Sequence, residues 1–266
     1  MAINKINDFT ITDFFDFEAY DRVTGALDFR LEDMQNFTLN ATEEKTELTG
    51  KNGRVIGVKK TGKKLTGEGT YGVVSAGLMK AQTGGEIING VHIVKKSELK
   101  TVSGTTVVTD AKAIGTVGAE IGTIRVIAAN GAVSGTYEQA SVADATHFSY
   151  DTKTKTITLP TDAIEDGTKI EYAYEREVNG TKVTDPSDKF SETREVWIHI
   201  FGIDACDNKY YAAIYIPRAD FSGEFSLELG GDQTVHNFSF DAITDLCKKS
   251  VGSNLFELII YTDEVV

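Results

Sequence analysis

The sequence has 266 residues, 41% of them hydrophobic and 25% charged, with 27 Lys and Arg against 40 Asp and Glu for a formal net charge of −13. Such acidity keeps a surface soluble and repels phosphate backbones, which argues against a general nucleic-acid binder, and the length admits one large β domain or two smaller ones. There is no basic-then-apolar leader and no apolar run near the ~20 residues needed to cross a bilayer, so synthesis in a cytoplasm without membrane insertion is expected.

In chain order, the first pattern sets Asp13, Asp16, Glu18 and Asp21 among Phe14, Phe15, Phe17 and Tyr20. A calcium loop would need a glycine turn with acids at alternate positions. That is missing, so a solvated edge with aromatics beneath it is expected, or aromatics packed on a neighbouring subunit. Leu27, Phe29 and Leu31, then Phe37, Leu39 and Ala41, alternate as strands do. From Leu48 the chain reads as strand, Asn52-Gly53 turn, strand, a second turn at Gly62-Lys63, and strand: a long lysine-rich β-hairpin arm. A helix follows over about Tyr71 to Gln82, with Val73, Val74, Gly77, Leu78 and Ala81 on one face and Gly84 as C-cap.

Two motifs in this stretch mimic catalytic signatures. Residues Gly67 to Gly72 fit G-x-G-x-x-G, yet the strand before them leaves a hairpin and no second strand–helix–strand unit follows. Close backbone packing is the better reading of these glycines than a dinucleotide site. Ser75 lies in a near miss of the nucleophile elbow that lacks its first glycine and any His–Asp partner pattern, and reads as a small packed residue.

From Val102 to Asp185 the texture changes to Thr, Ala, Gly and Val in short, evenly spaced strands. Asn130-Gly131 and Asn179-Gly180 signal hairpins, Asp166-Gly167 more weakly. The piece from His147 to Val178, with a Thr-Lys-Thr-Lys turn and a Glu-Asp-Gly turn, reads as a small immunoglobulin-like half-sandwich. Beyond it, Trp197, His199 and Phe201 alternate in a strand expected to be buried, and Asp204 to Asp207 reads as a polar turn. A second helix is expected from about Phe240 to Lys249, with Phe240, Ile243, Leu246 and Cys247 on one face, Ser239 capping its start and Lys248-Lys249 at its negative end. Cys206 and Cys247 suit a reducing compartment and give no disulfide framework. With His199 and His236 they lack the spacing of a structural zinc site, so no metal or cofactor is expected.

Between Glu43 and Lys64 lie Lys45, Lys51, Arg54, Lys59, Lys60, Lys63 and Lys64 against three glutamates. Lysine protects an edge hairpin from unwanted pairing. It also suits docking onto an acidic copy of the same chain, the reading favoured here. Binding of nucleic acid by the arm comes third, because stacking aromatics are missing from it. Lys51, Arg54, Lys59, Lys60, Lys63 and Lys64 are therefore the candidate subunit-interface residues.

Two segments resemble tail tube (major tail) proteins of bacteriophages. One runs from Leu48 to Lys60 (LTGKNGRVIGVKK) and continues from Gly72 to Gly84. The other runs from Tyr210 to Phe240. The resemblance implies a β-sandwich with a flanking helix that forms hexameric rings, joined by arms into a hollow tube through which the genome passes. The middle would fit an outward-facing decoration or a tube protein of an enlarged type.

The expected fold is mainly β. It comprises a sandwich or barrel core of residues 1–101 and 186–266, one or two short flanking helices, the hairpin arm, and an inserted immunoglobulin-like β module over 102–185. The expected function is a non-enzymatic virion protein, made in the host cytoplasm, that polymerises into the tail tube. Its expected partners are itself, other tail proteins and phage DNA passing without specific binding, with no membrane. A capsid decoration or baseplate subunit is the alternative, and a carbohydrate-binding adhesin the rival from another class.

Overall fold

A computed structural model describes residues 9–32, 34–204, 206–228, 235–246 and 253–261, apart from the side chains of Phe15 and Glu228. The protein is mainly β, as its alternating patterns predict, with one α-helix among the described residues. Its contacts divide the chain into two compact units, residues 1–87 with 183–266 and residues 88–182.

One of the two sheets is a half-barrel, and the first unit is built on the nine-stranded sheet. Strands β1 (Thr10–Asp21), β2 (Leu27–Leu31), β3 (Met34–Thr49) and β4 (Val55–Tyr71) come from its first segment. The second segment supplies β12 (Thr193–Ile203), β13 (Lys209–Phe221), β14 (Leu227–Glu228), β15 (Val235–Ala242) and β16 (Glu257–Tyr261). The order is β2-β1-β12-β13-β15-β4-β3, with β16 on β13 and β14 on β15. β13 turns the corner: Tyr211 to Tyr215 pair with β16, and Ala219 to Phe221 pair with β15. Pro217 falls between these stretches, where a residue with no N–H costs the ladder least.

The core forms around Phe17, which is fully buried. Its ring lies 5.2 Å from that of Phe238 and 6.1–6.3 Å from those of Phe29, Phe221 and Phe240. Burying each such ring contributes about 1.5–3 kcal/mol. Gly67 and Gly69 make room for two of them. A Cβ at Gly67 would sit 2.2 Å from Phe240 Cζ, and one at Gly69 2.6 Å from Phe238 Cζ. The glycines thus serve close packing, as expected. β1 lies between β2 and β12, so the expected solvated edge is instead an interior strand.

Helix α1 (Ala76–Thr83) buries Leu78 and Ala81. It starts later than the sequence suggests because Tyr71 still pairs with Met34 and His236, which holds the chain extended. Ser75 then caps it, its Oγ accepting from the Leu78 amide at 3.2 Å. Val73 and Val74 consequently stay outside the helix and largely exposed. Gly84 closes it as predicted, at φ 65° with its N–H on the Lys80 carbonyl. Asp28 of β2 ties the helix to the sheet, accepting from Lys80 Nζ at 2.9 Å and from the buried Arg194 Nε at 2.7 Å.

Among the described residues the second predicted helix is not formed. Phe238, Phe240 and Ala242 lie on one face of β15, with Phe240 opposite Gly67, so residues 240–242 are strand. Period-two burial over the upstream glycines overrides the period-three pattern. Leu246, expected on the apolar helical face, is 83% exposed. Cys247, Lys248 and Lys249 lie outside the described residues.

The second unit holds the greater part of β5 (Ile87–Thr101) and β11 (Lys169–Val183), with β6 (Thr106–Val108), β7 (Thr123–Ile127), β8 (Val133–Gln139), β9 (His147–Asp151) and β10 (Thr156–Thr158). Its sheet runs β5-β11-β7-β8-β9-β10-β6 over a core that includes Ile124, Phe148, Ile157 and Ile170. The Asn130-Gly131 signal makes the β7–β8 turn with only Gly131 at positive φ. Asn179-Gly180 makes no turn. It sits inside β11, whose partner is β5, and the neighbouring Thr181 hydroxyl bonds Asn89 Oδ1 at 2.7 Å. Buried Glu98 of β5 accepts from the hydroxyls of Tyr172 and Tyr174 and from the Asp110 amide. Lys96 lies 3.2 Å from it. Burial raises the Glu98 pKa, and these donors more than offset that, holding its carboxyl below the usual range.

Candidate assembly surfaces

β3 and β4 pair over nearly their whole lengths, from Met34↔Tyr71 to Thr49↔Val55, around a turn with Asn52 at φ 68° and Gly53 at φ 72°. Both central residues take the positive φ that Asn-Gly accepts most readily. The expected second turn at Gly62-Lys63 is absent. β4 runs straight through, and Thr61 is an extra residue between the pairs Glu44↔Gly62 and Lys45↔Lys60. Such a bulge sharpens twist without reversing the chain.

The base of this ribbon lies on the core through Phe37, Leu39 and Leu65. The tip does not. Leu48, Val55, Ile56 and Val58 are all exposed, Ile56 at 71%. A two-stranded ribbon is marginal in water without a face to pack on, and clustered exposed apolar residues mark contact surfaces.

The six candidate cations fall into two groups. Lys60 and Lys63 reach Glu43 at 2.9 and 4.0 Å, and Lys64 reaches Asp241 at 3.2 Å. The Lys60 hydrogen bond is the main reason the Glu43 carboxyl titrates below its ordinary value. Lys51, Arg54 and Lys59, nearer the tip, make no ion pair among the described residues.

A second surface was not singled out by sequence. Across β2, β1, β12, β13 and β16 the registers align Arg30, Glu18, Trp197, Tyr215 and Glu257 in one row. Directly opposed residues of antiparallel strands share a face. The same face carries Asp16, His199, Ala213 and Ile259, then Phe201, Tyr211 and Tyr261. Trp197 and Tyr215 stack with centroids 4.4 Å apart. Trp197 donates to Glu195 at 3.3 Å, and Arg30 grips Asp16 through two bonds of 2.7 and 3.0 Å. The Tyr20 hydroxyl donates to Glu18 at 2.7 Å, and that bond to a carboxylate pushes its pKa up to about 12. Val196, Ile198 and Ile200 take the buried side of β12, which corrects the expectation that Trp197 is buried.

Among the described residues no cluster of three or more His, Cys, Asp or Glu could hold a metal ion. His236 is buried on β15 with Nε2 2.9 Å from Gln82 Oε1, and burial lowers its pKa. Cys206 is exposed. Ser75 serves as a helix cap. No described helix is long and apolar enough to cross a membrane.

A nine-stranded sheet with a packed helix and a long apolar-tipped arm has the build of a structural subunit. The chain belongs to the YomU/Tube protein family, whose model matches residues 9–256, and this bears out the resemblance to a phage tail tube protein. It is thus a structural component of the virion tail. No curated protein matches it.

Proposed function

We propose that the protein polymerises into stacked, hexameric rings that form the tail tube, a conduit for genome delivery, after synthesis in the host cytoplasm. The observation that carries this reading is the ribbon tip, whose Leu48, Val55, Ile56 and Val58 stay exposed among the described residues. Contact with a neighbouring copy removes that apolar surface from water. Lys51, Arg54, Lys59, Lys60, Lys63 and Lys64 are the proposed interface cations. The charge of −13 suits a wall along which DNA slides without being held. Residues 102–185 are proposed as an inserted module facing outward, with no catalytic task.

Negative-stain microscopy and sedimentation of the purified protein test the reading. Rings or tubes are expected. A strict monomer at high concentration, with or without a nucleating tail partner, defeats it.

A further inference from the structure

The geometry points to an acceptor for the arm: the Trp197 face of β2, β1, β12, β13 and β16 receives the basic ribbon tip of a second copy of this chain. This rests on the assembly reading above and adds to it a surface and a chemistry.

Charge is the first observation. Residues 43–64 hold seven cations against three glutamates, a net of four positive charges. The face and its rim present Asp13, Asp16, Glu18, Glu32, Glu195 and Glu257 against Arg30 and Lys209, six acids less two bases for a net of four negative charges with His199 neutral. Arg30 is shared among Asp16, Glu18 and Glu32, so it cannot neutralise all three. Complementary potentials of this kind steer encounter and fix register.

Side-chain chemistry is the second. The tip alternates cations with Val55, Ile56 and Val58, and so asks for a surface that is both acidic and apolar. The row through Glu18, Trp197, Tyr215 and Glu257 offers a half-buried Trp197, backed by the buried ring of Tyr215, between carboxylates, and Ile259 and Tyr261 extend it as exposed apolar area. Tryptophan and tyrosine are the residue types that anchor interfaces, and their ring faces attract ammonium and guanidinium groups. Among the described residues the arm's ion pairs go to Glu43 and Asp241, none to this face.

Donor and acceptor patches differ, so the contact is heterologous. Such contacts close into rings or propagate as filaments.

Trp197 is the only tryptophan, so its fluorescence reports this face alone. The experiment compares emission maximum and acrylamide quenching in dissociated protomers and in assemblies verified by sedimentation. Assembly is expected to shift emission to the blue and to reduce quenching severalfold. The triple variant Lys51→Glu, Arg54→Glu, Lys59→Glu is expected to lose both assembly and protection. Adding Glu195→Lys and Glu257→Lys is expected to restore them. Assemblies in which Trp197 stays as quenchable as in the protomer overturn this placement, put the face on the lumen or outer surface, and leave polymerisation intact. A triple variant that assembles with Trp197 still protected also overturns it. A chain that remains monomeric overturns both this contact and the assembly reading.

Discussion

The base and tip of the β3/β4 ribbon share one strand pair but meet different physical demands. At the base, Gly67 and Gly69 lie under Phe240 and Phe238, and Leu65 is buried. At the tip, Val55, Ile56 and Val58 continue the same ladder with no such cover. Main-chain pairing is alike in both halves. Burial separates the part that folds the subunit from the part left to join another.

The strongest way to break that contrast is at the core. Phe17→Ala is expected to destabilise the isolated subunit by about 3–5 kcal/mol, read as a large drop in the denaturant midpoint; a midpoint unchanged from the parent would contradict the ring-packed core. Gly67→Ala comes next. Its methyl has no space beside Phe240, so a loss of roughly 1–3 kcal/mol is expected by the same assay, and a neutral result would show that β4 and β15 pack less closely than described.

At the tip the opposite signature is expected. Replacing Val55, Ile56 and Val58 by serine should change subunit stability by no more than about 0.5 kcal/mol, while sedimentation shows assembly lost. A variant that melts early places the tip in a fold rather than a contact. Reversing Lys59, Lys60, Lys63 and Lys64 to glutamate should weaken assembly less completely, and added salt should weaken the parent, since exposed charges are screened within about 10 Å at 0.1 M salt. Equal assembly by the reversed protein leaves those lysines only the role of protecting an edge.

The smallest expected effect lies in the second unit. Glu98 titrates below its ordinary value in the fold, so its contribution to stability is present above pH ~4.5 and fades as pH falls through the lowered value. Glu98→Gln should flatten that acid limb of a thermal-melt profile. An unchanged limb assigns the acid loss to other carboxylates.

How much of this was legible follows from how local each signal is. The Asn52-Gly53 turn and the Gly84 cap depend on the φ of one or two residues, and the sequence states them outright. The strand at Phe240 depends on Gly67 and Gly69, far upstream, so its own residues fit a helix period equally well. Asn179-Gly180 carries a sound turn signal, but β11 pairs with β5 rather than folding back on itself. The lysines of the arm are visible as composition. The Trp197 face was not, because five strands distant in sequence supply it and both sides of β12 are apolar enough to hide which one is buried.

The long, unbroken β4 also has a mechanical consequence. Leu65 to Tyr71 of this strand hydrogen-bond antiparallel to β15, and the same strand continues outward into the arm. A pull on the arm along its axis therefore loads the β4–β15 ladder in shear, with its bonds sharing the force instead of opening one after another. The Phe238 and Phe240 rings seated on Gly69 and Gly67 act as detents against sliding by one register. A tensile load entering at the tip is thereby delivered to the ring-packed core of the subunit.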